Sequence, residues 1–408
     1  MQQFFPRDLN VTAVVETAAS FANYALLVVN QRLGFALWDT RANNFSIAHS
    51  SYRGGGYDVM LEFVEACRQF SVQPGIFYTA HWNAYNTAAY GPRDLSADEQ
   101  DEFNVIQLRE LMMGKYGAML ELWLDGGLNP EHPKTRQFLL DNGEQWVTHG
   151  FPERNGVRWV GNEAGVVSQP NWGASSPPFK GSELKHGDPF GTVYYPPAAD
   201  FPMDGACWMW TNRTAGPKNP AELVRKFGGT SGQGAKMVLN IAPMDFGALN
   251  QSDVAAYKAF GAALDCLYSR PIVNETFAHD GIMIPRKEGG WELAWGVGRV
   301  LTENITIVIR EDIQTGQRIY SWELRGSADG TTWETVLFET AWPRRHPMRV
   351  VPVSIGYKRT FEAVFLGHNV RNWTQMKLVV ANVTNASRAP ALRDVVVYDW
   401  SDKGECLS

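Results

Sequence analysis

The stretch YGAMLELWLDGG, from Tyr116 to Gly127, constrains this chain more than any other. Met119, Leu120, Leu122, Trp123 and Leu124 make a short apolar run around Glu121, closed by Asp125 and two glycines. Such a run reads as a strand buried on both faces, the appearance of parallel strands. The C-terminal end of a parallel strand opens into a crevice, where α/β folds place their chemistry. Asp125 falls at that end, and Gly126 and Gly127 free the backbone to turn and a substrate to come close. A turn or helix N-cap aspartate is the competing reading.

The flanking text repeats a strand, loop, helix rhythm, as βα units require. Asn10 to Tyr24 reads as a capped helix, Ala25 to Val29 as a buried strand, and Asp58 to Phe70 as an amphipathic helix. Gly75 to Tyr78 is the next strand. A helix from Ser96 to Lys115 opens with the capping box Ser96–Glu99. After Asp125 the pattern predicts a helix at Pro133 to Asn142, a short strand at Gln145 to Thr148 and a loop over Val157 to Gly165. Asn171 to Asp204, rich in Pro, Gly and Ser, reads as one long loop on the active face. Cys207 to Trp210 and Met237 to Ile241 are expected to be the last strands, with helices near Pro220 to Phe227 and Ser252 to Leu267. That makes about six or seven strands of an eight-stranded barrel.

The pattern changes near residue 278. Ile305 to Ile309, Ile319 to Leu324, Trp333 to Phe338, Met348 to Val353, Met376 to Ala381 and Val395 to Tyr398 alternate or run apolar between turn signals such as Asp329-Gly330. The expected architecture is therefore α/β: a (β/α) TIM-like barrel over residues 1–278, then a C-terminal antiparallel β-sandwich over 279–408.

A net charge of -6 with no basic block argues against nucleic acid or an anionic membrane surface as partner. No apolar run reaches the length of a membrane span. Cys67, Cys207, Cys266 and Cys406 are too scattered for a metal site and imply no disulfide framework. Asn-x-Ser/Thr sequons at Asn10, Asn44, Asn212, Asn250, Asn274, Asn304, Asn372, Asn382 and Asn385 favour a secretory route. The start, MQQFFPRDLN, nonetheless lacks the form of a signal peptide.

The chemistry implied at the strand ends rests on two carboxylates, Asp125 and Glu163, the latter in VRWVGNEAG. Retaining glycoside hydrolysis needs such a pair, one to attack the anomeric carbon and one to protonate the leaving oxygen. An Asp pinned by glycines suits the first role. A Glu on a more mobile loop beside Trp159 suits the second, with a raised pKa. A solvated loop glutamate is the bland alternative for Glu163. Trp38, Trp82, Trp159 and Trp210 are candidates for lining a sugar pocket, and core packing is the alternative for each.

The ordered series FALW, GGGYDVMLEFVEACR, PGIFYTAHW, YGAMLELWLDGG, VRWVGNEAG and VLNIAPMDFGAL, followed by GQRIYSWEL, resembles the family 29 α-L-fucosidases. The likeness runs through nearly the whole chain and is strongest to the subgroup holding the plant and the 1,3/1,4-linkage-selective bacterial enzymes. It implies a barrel with a C-terminal sandwich and hydrolysis of terminal α-L-fucose with retention. It also implies no metal or other cofactor, fucosylated oligosaccharide or glycoprotein as substrate, and a secreted or lysosomal/vacuolar location. On it, Asp125 matches the nucleophile and Glu163 the acid/base, and a retaining pair stands roughly 5–6 Å apart. The departures are specific. Gln31 and Arg32 stand where the family has two fucose-binding histidines, Ala199 stands where it has a glutamate, and its first strand would precede residue 1. These imply either further N-terminal sequence or a catalytically impaired relative acting as a glycan-binding or scaffold protein.

Overall fold

The computed structural model describes residues 6–80, 83–84, 95–169, 171–177, 185–205, 207–212, 216–277, 283–297, 305–314, 316–336, 354–363, 373–384, 389–399 and 403–407. One sheet of seven strands runs in the order β1 (Tyr24–Val28), β2 (Gln73–Tyr78), β3 (Glu121–Leu124), β4 (Val147–His149), β5 (Gly156–Trp159), β8 (Pro197–Phe201) and β9 (Lys236–Leu239). The pairings of β1 through β5 and of β8 with β9 are parallel. This is the barrel sheet expected from the βα rhythm. The chain divides into two compact units. The first is Met1–Arg158, Pro202–Pro217 and Asn240–Gly261; the second is Trp159–Phe201, Lys218–Leu239 and Ala262–Ser408.

Within the first unit, local chemistry sets each helix. The Asn10 side chain accepts from the Ala13 N–H and starts α1 (Val11–Ala19). Asp58 does the same for α2 (Val59–Gln69) through the Leu61 N–H. Ser96 and Glu99 close the predicted capping box on α3 (Ala97–Met113). The buried Asp101 carboxylate receives the Lys134 and Thr135 N–H groups and so caps α4 (Pro133–Asn142) from another helix. Val15, Met60, Val64, Leu108 and Leu111 meet Ile76, Leu122 and Leu124 in one apolar cluster. Leu122 and Leu124 thus face the helices, and alternation turns Glu121, Trp123 and Asp125 to the opposite, inner face.

Three segments differ from the sequence expectation. The first three residues of the supposed loop, Val157 to Trp159, belong to β5 (Gly156–Trp159). The supposed long loop from Asn171 holds a hairpin, β6 (Ala174–Ser175) with β7 (Val193–Tyr194), and then β8, whose five residues are all buried. Pro197 opens β8, where a missing N–H is tolerated, and two alanines give it no apolar signal. Conversely, Cys207 to Trp210 makes only an isolated bridge between Asp204 and Cys207. A short apolar run does not by itself distinguish strand from loop. The last helices of this part are α5 (Pro220–Gly229) and α6 (Gln251–Tyr268).

In the second unit a four-stranded antiparallel sheet takes β10 (Pro271–Thr276), β18 (Leu392–Asp399), β13 (Ile305–Glu311) and β16 (Arg359–Ala363) in that order. A five-stranded sheet takes β11 (Ile284–Pro285), β12 (Trp291–Gly296), β17 (Gln375–Val383), β14 (Ile319–Ser327) and β15 (Glu334–Thr335). Ile305, Ile307, Ile309, Val395 and Val397 of the first sheet share a core with Trp322, Leu324, Leu378 and Val380 of the second. That shared core is a sandwich. β10 pairs with β18, so sandwich strand begins before residue 278. The expected strand at Met348 to Val353 lies outside the described residues. Cys266 and Cys406 form a disulfide, which their distance of 140 residues in sequence had concealed. Among the described residues no helix is long and apolar enough to cross a membrane.

Candidate active site

The ends of β1, β2 and β3 are tied together by hydrogen bonds just beyond the last strand residues. The Asp125 N–H donates to the Tyr78 carbonyl at 3.0 Å. The Thr79 N–H donates to Asn30 Oδ1 at 2.8 Å, and Thr79 Oγ1 donates to Gln31 Oε1 at 3.0 Å. Asp125 is half-buried in a turn closed by the Gly127 N–H on the Leu124 carbonyl. Gly126 and Gly127 take φ of 73° and 75°, the left-handed region that side chains avoid, which is the use expected of the pair.

One layer down, the inner face carries aromatic rings in register. Phe77 pairs with Trp123 and Trp123 with His149 across β2, β3 and β4. The Phe77 and Trp123 rings lie 5.7 Å apart, and Trp123 and His149 stack at 3.6 Å and 11°. Alternation places Asp125 on the same face as Trp123, directly above this layer. The sequence reading did not identify His149. Its signal was the weak three-residue strand that positions it.

In the second unit Glu163 is exposed at the tip of the turn that follows β5. The Val160 N–H donates to the Ala198 carbonyl and the Gly165 N–H to the Asp200 carbonyl, so both ends hang on β8. Lys226 Nζ donates to the Ala164 carbonyl at 2.7 Å. Gly165 has φ of 64°, and a Cβ there would stand 2.2 Å from the Phe201 ring, so any side chain would have to displace that ring. Trp159 is 38% exposed, while its indole N–H donates to the buried Asp200 carboxylate at 2.7 Å.

The remaining candidates fall differently. Trp38 is fully buried in the core of the first unit, and its indole N–H donates to Glu110. Trp210 is half-buried in an irregular segment. Arg32 is exposed, and its N–H donates to Gln31 Oε1. Trp82 lies outside the described residues. Ala199, where the resembling family has a glutamate, packs with Val160, Val167 and Ala235. Among the described residues no cluster of His, Cys, Asp and Glu has the makings of a metal site.

A parallel barrel sheet with an aspartate at a central strand end, together with an antiparallel sandwich, defines an α/β protein of the barrel-and-sandwich class. The family model described as alpha-L-fucosidase matches residues 1–266, and the chain belongs to that family. Putative alpha-L-fucosidase 1 of Oryza sativa subsp. japonica is 25% identical over 389 residues, covering 85% of this chain and 69% of its own. Alpha-L-fucosidase 1 of Arabidopsis thaliana is 24% identical over 391 residues, covering 86% and 74%. The crystal structure of a putative alpha-L-fucosidase from Bacteroides thetaiotaomicron superposes with a TM-score of 0.77 at 23% identity, over 97% of this chain and 88% of that one. A Ruminococcus gnavus GH29 fucosidase solved in complex with fucose gives a TM-score of 0.75 at 18% identity, over 98% and 87%. These likenesses bear out the barrel and sandwich fold.

Proposed function

We propose that this chain is a retaining exo-glycosidase that removes terminal α-L-fucose from fucosylated glycans or glycoproteins. The observation that carries the reading is Asp125, held at the end of a fully buried central strand by two left-handed glycines, in a chain of the alpha-L-fucosidase family. In the first step the Asp125 carboxylate attacks the anomeric carbon while Glu163 gives its proton to the glycosidic oxygen, and the aglycone leaves. In the second step Glu163 takes a proton from water, the resulting hydroxide attacks the same carbon, and Asp125 departs. Two inversions give net retention. The Cys266–Cys406 disulfide and the many sequons support a secretory or lysosomal/vacuolar setting.

One observation favours the alternative of an impaired, glycan-binding relative. Gln31 stands at a fucose-binding histidine position and commits its amide oxygen to Thr79 and to the Arg32 N–H. The deciding experiment is hydrolysis of an aryl α-L-fucoside and a fucosylated trisaccharide by the purified chain and by Asp125→Asn. Turnover lost in the variant supports the enzyme. No turnover by either protein moves the assignment to the binding role.

A further inference from the structure

β5 and β8 each send alternate residues to opposite faces. Val160 and Ala199 go to one side, where they pack with Val167 and Ala235 in a small apolar cluster. Trp159 and Asp200 therefore go to the other, and there they meet at 2.7 Å. The pair is unequal. Asp200 is 8% exposed and Trp159 is 38% exposed, so the carboxylate is inside and the ring is presented to solvent. A buried carboxylate is costly unless donors meet it, and the indole N–H meets this one. The same bond removes the freedom of the indole, which otherwise swings about two side-chain torsions. The Asp200 backbone holds the neighbouring turn as well, its carbonyl taking the Gly165 N–H two residues beyond Glu163.

We infer that Asp200 is a positioning residue that fixes the Trp159 ring as a platform for the sugar on the leaving-group side. This rests on the fucosidase reading, in which Glu163 protonates the oxygen shared with that sugar. A flat ring four residues before the proton donor suits the C–H face of a pyranose, which packs on aromatic carbon. A fluoride leaving group is too small to reach the ring, whereas a sugar or an aryl group stacks on it. The platform therefore discriminates between oligosaccharide substrates and α-L-fucosyl fluoride.

The test is calorimetric titration of a fucosylated trisaccharide into the Asp125→Asn protein, alone and combined with Trp159→Phe, Asp200→Ala, Asp200→Asn, or the double variant of Trp159→Phe with Asp200→Ala. Trp159→Phe keeps a ring but loses the N–H, and Asp200→Asn keeps an oxygen that can accept it. Trp159→Phe and Asp200→Ala are each expected to weaken binding about tenfold, and the double variant no further, because they break one device. Asp200→Asn is expected to retain affinity within about twofold. With Asp125 intact, KM for the trisaccharide rises more than KM for α-L-fucosyl fluoride, a split that general loosening does not produce. Effects that multiply in the double variant, or affinity indifferent to Asp200, overturn the inference. If Asp200→Ala fails to fold, the contrast of Trp159→Phe with Asp200→Asn decides alone. Binding that follows this pattern without any turnover overturns the fucosidase reading and leaves the platform standing. Turnover with affinity blind to both residues overturns the platform alone, and absence of binding and turnover overturns both.

Discussion

In the parallel sheet, polar side chains gather where strands stop: Asn30 and Gln31 after β1, Thr79 after β2, Asp125 after β3. In the sandwich they lie inside. Glu311 is 2% exposed on β13, and its carboxylate accepts the N–H groups of Arg318, Ile319 and Gly356. Arg359, 4% exposed on β16, gives its guanidinium to the Ser354 carbonyl and hydroxyl and to Gln233 Oε1. The difference is one of purpose. The strand-end groups bond to one another beside Asp125, the proposed nucleophile, whereas those in the sandwich are spent on holding the ends of loops. Substitution in the first region is therefore expected to change rate, and in the second to change stability.

Asp125→Asn makes the largest break. It is expected to lower kcat on an aryl α-L-fucoside on the order of 10⁴-fold while leaving the unfolding midpoint nearly unmoved, measured by initial rates and thermal denaturation. A large drop in melting temperature instead would place Asp125 with the structural carboxylates. Cys406→Ser opens a loop of 140 residues and is expected to cost about 5 kcal/mol in the chain-entropy model, read by denaturant unfolding.

Glu311 sharpens the contrast through pH. Burial pushes its carboxyl up from 4.5 to about 7, against the pull of its three N–H donors. The folded state then holds a proton that the unfolded state has released, so stability is greatest below about 4.5 and falls as pH rises towards 7. The loss is on the order of 3 kcal/mol. Glu311→Gln is expected to flatten this slope in unfolding midpoints taken across pH 4.5 to 7, with kcat retained. A slope that persists in the variant would assign it to other groups.

Gly165→Ala gives the smallest expected change. The Phe201 ring must move and a left-handed residue loses its glycine, costing about 1 kcal/mol or somewhat more. Its effect is expected to fall on turnover of the trisaccharide more than on stability, because the turn carries Glu163. Equal effects on both would make the turn merely structural.

Legibility in the sequence followed the density of apolar signal. YGAMLELWLDGG announced β3 because its strand is buried on both faces, and the helix caps at Asn10 and Ser96 were readable because capping is local. β8 was not readable: PAADF opens with proline and carries an acid, so its burial comes from neighbours far away in sequence. Asp200 was hidden with it. His149 was hidden in a strand of three residues, and the Cys266–Cys406 bond rests on a meeting that spacing cannot encode. Trp38 shows the converse, a tryptophan in a strand-end loop that fills the core.

The hairpin of β6 and β7 is fastened to the sandwich: the Gly173 N–H donates to Gln317 Oε1, and Ser354 Oγ donates to the Asn171 carbonyl. These bonds join segments 144 and 183 residues apart in the chain. For protein engineering this means that the C-terminal module is no interchangeable cassette. A chimera cut at residue 266 must bring along counterparts of Gln317 and Ser354, or the grafted domain arrives without the clasps that this hairpin expects.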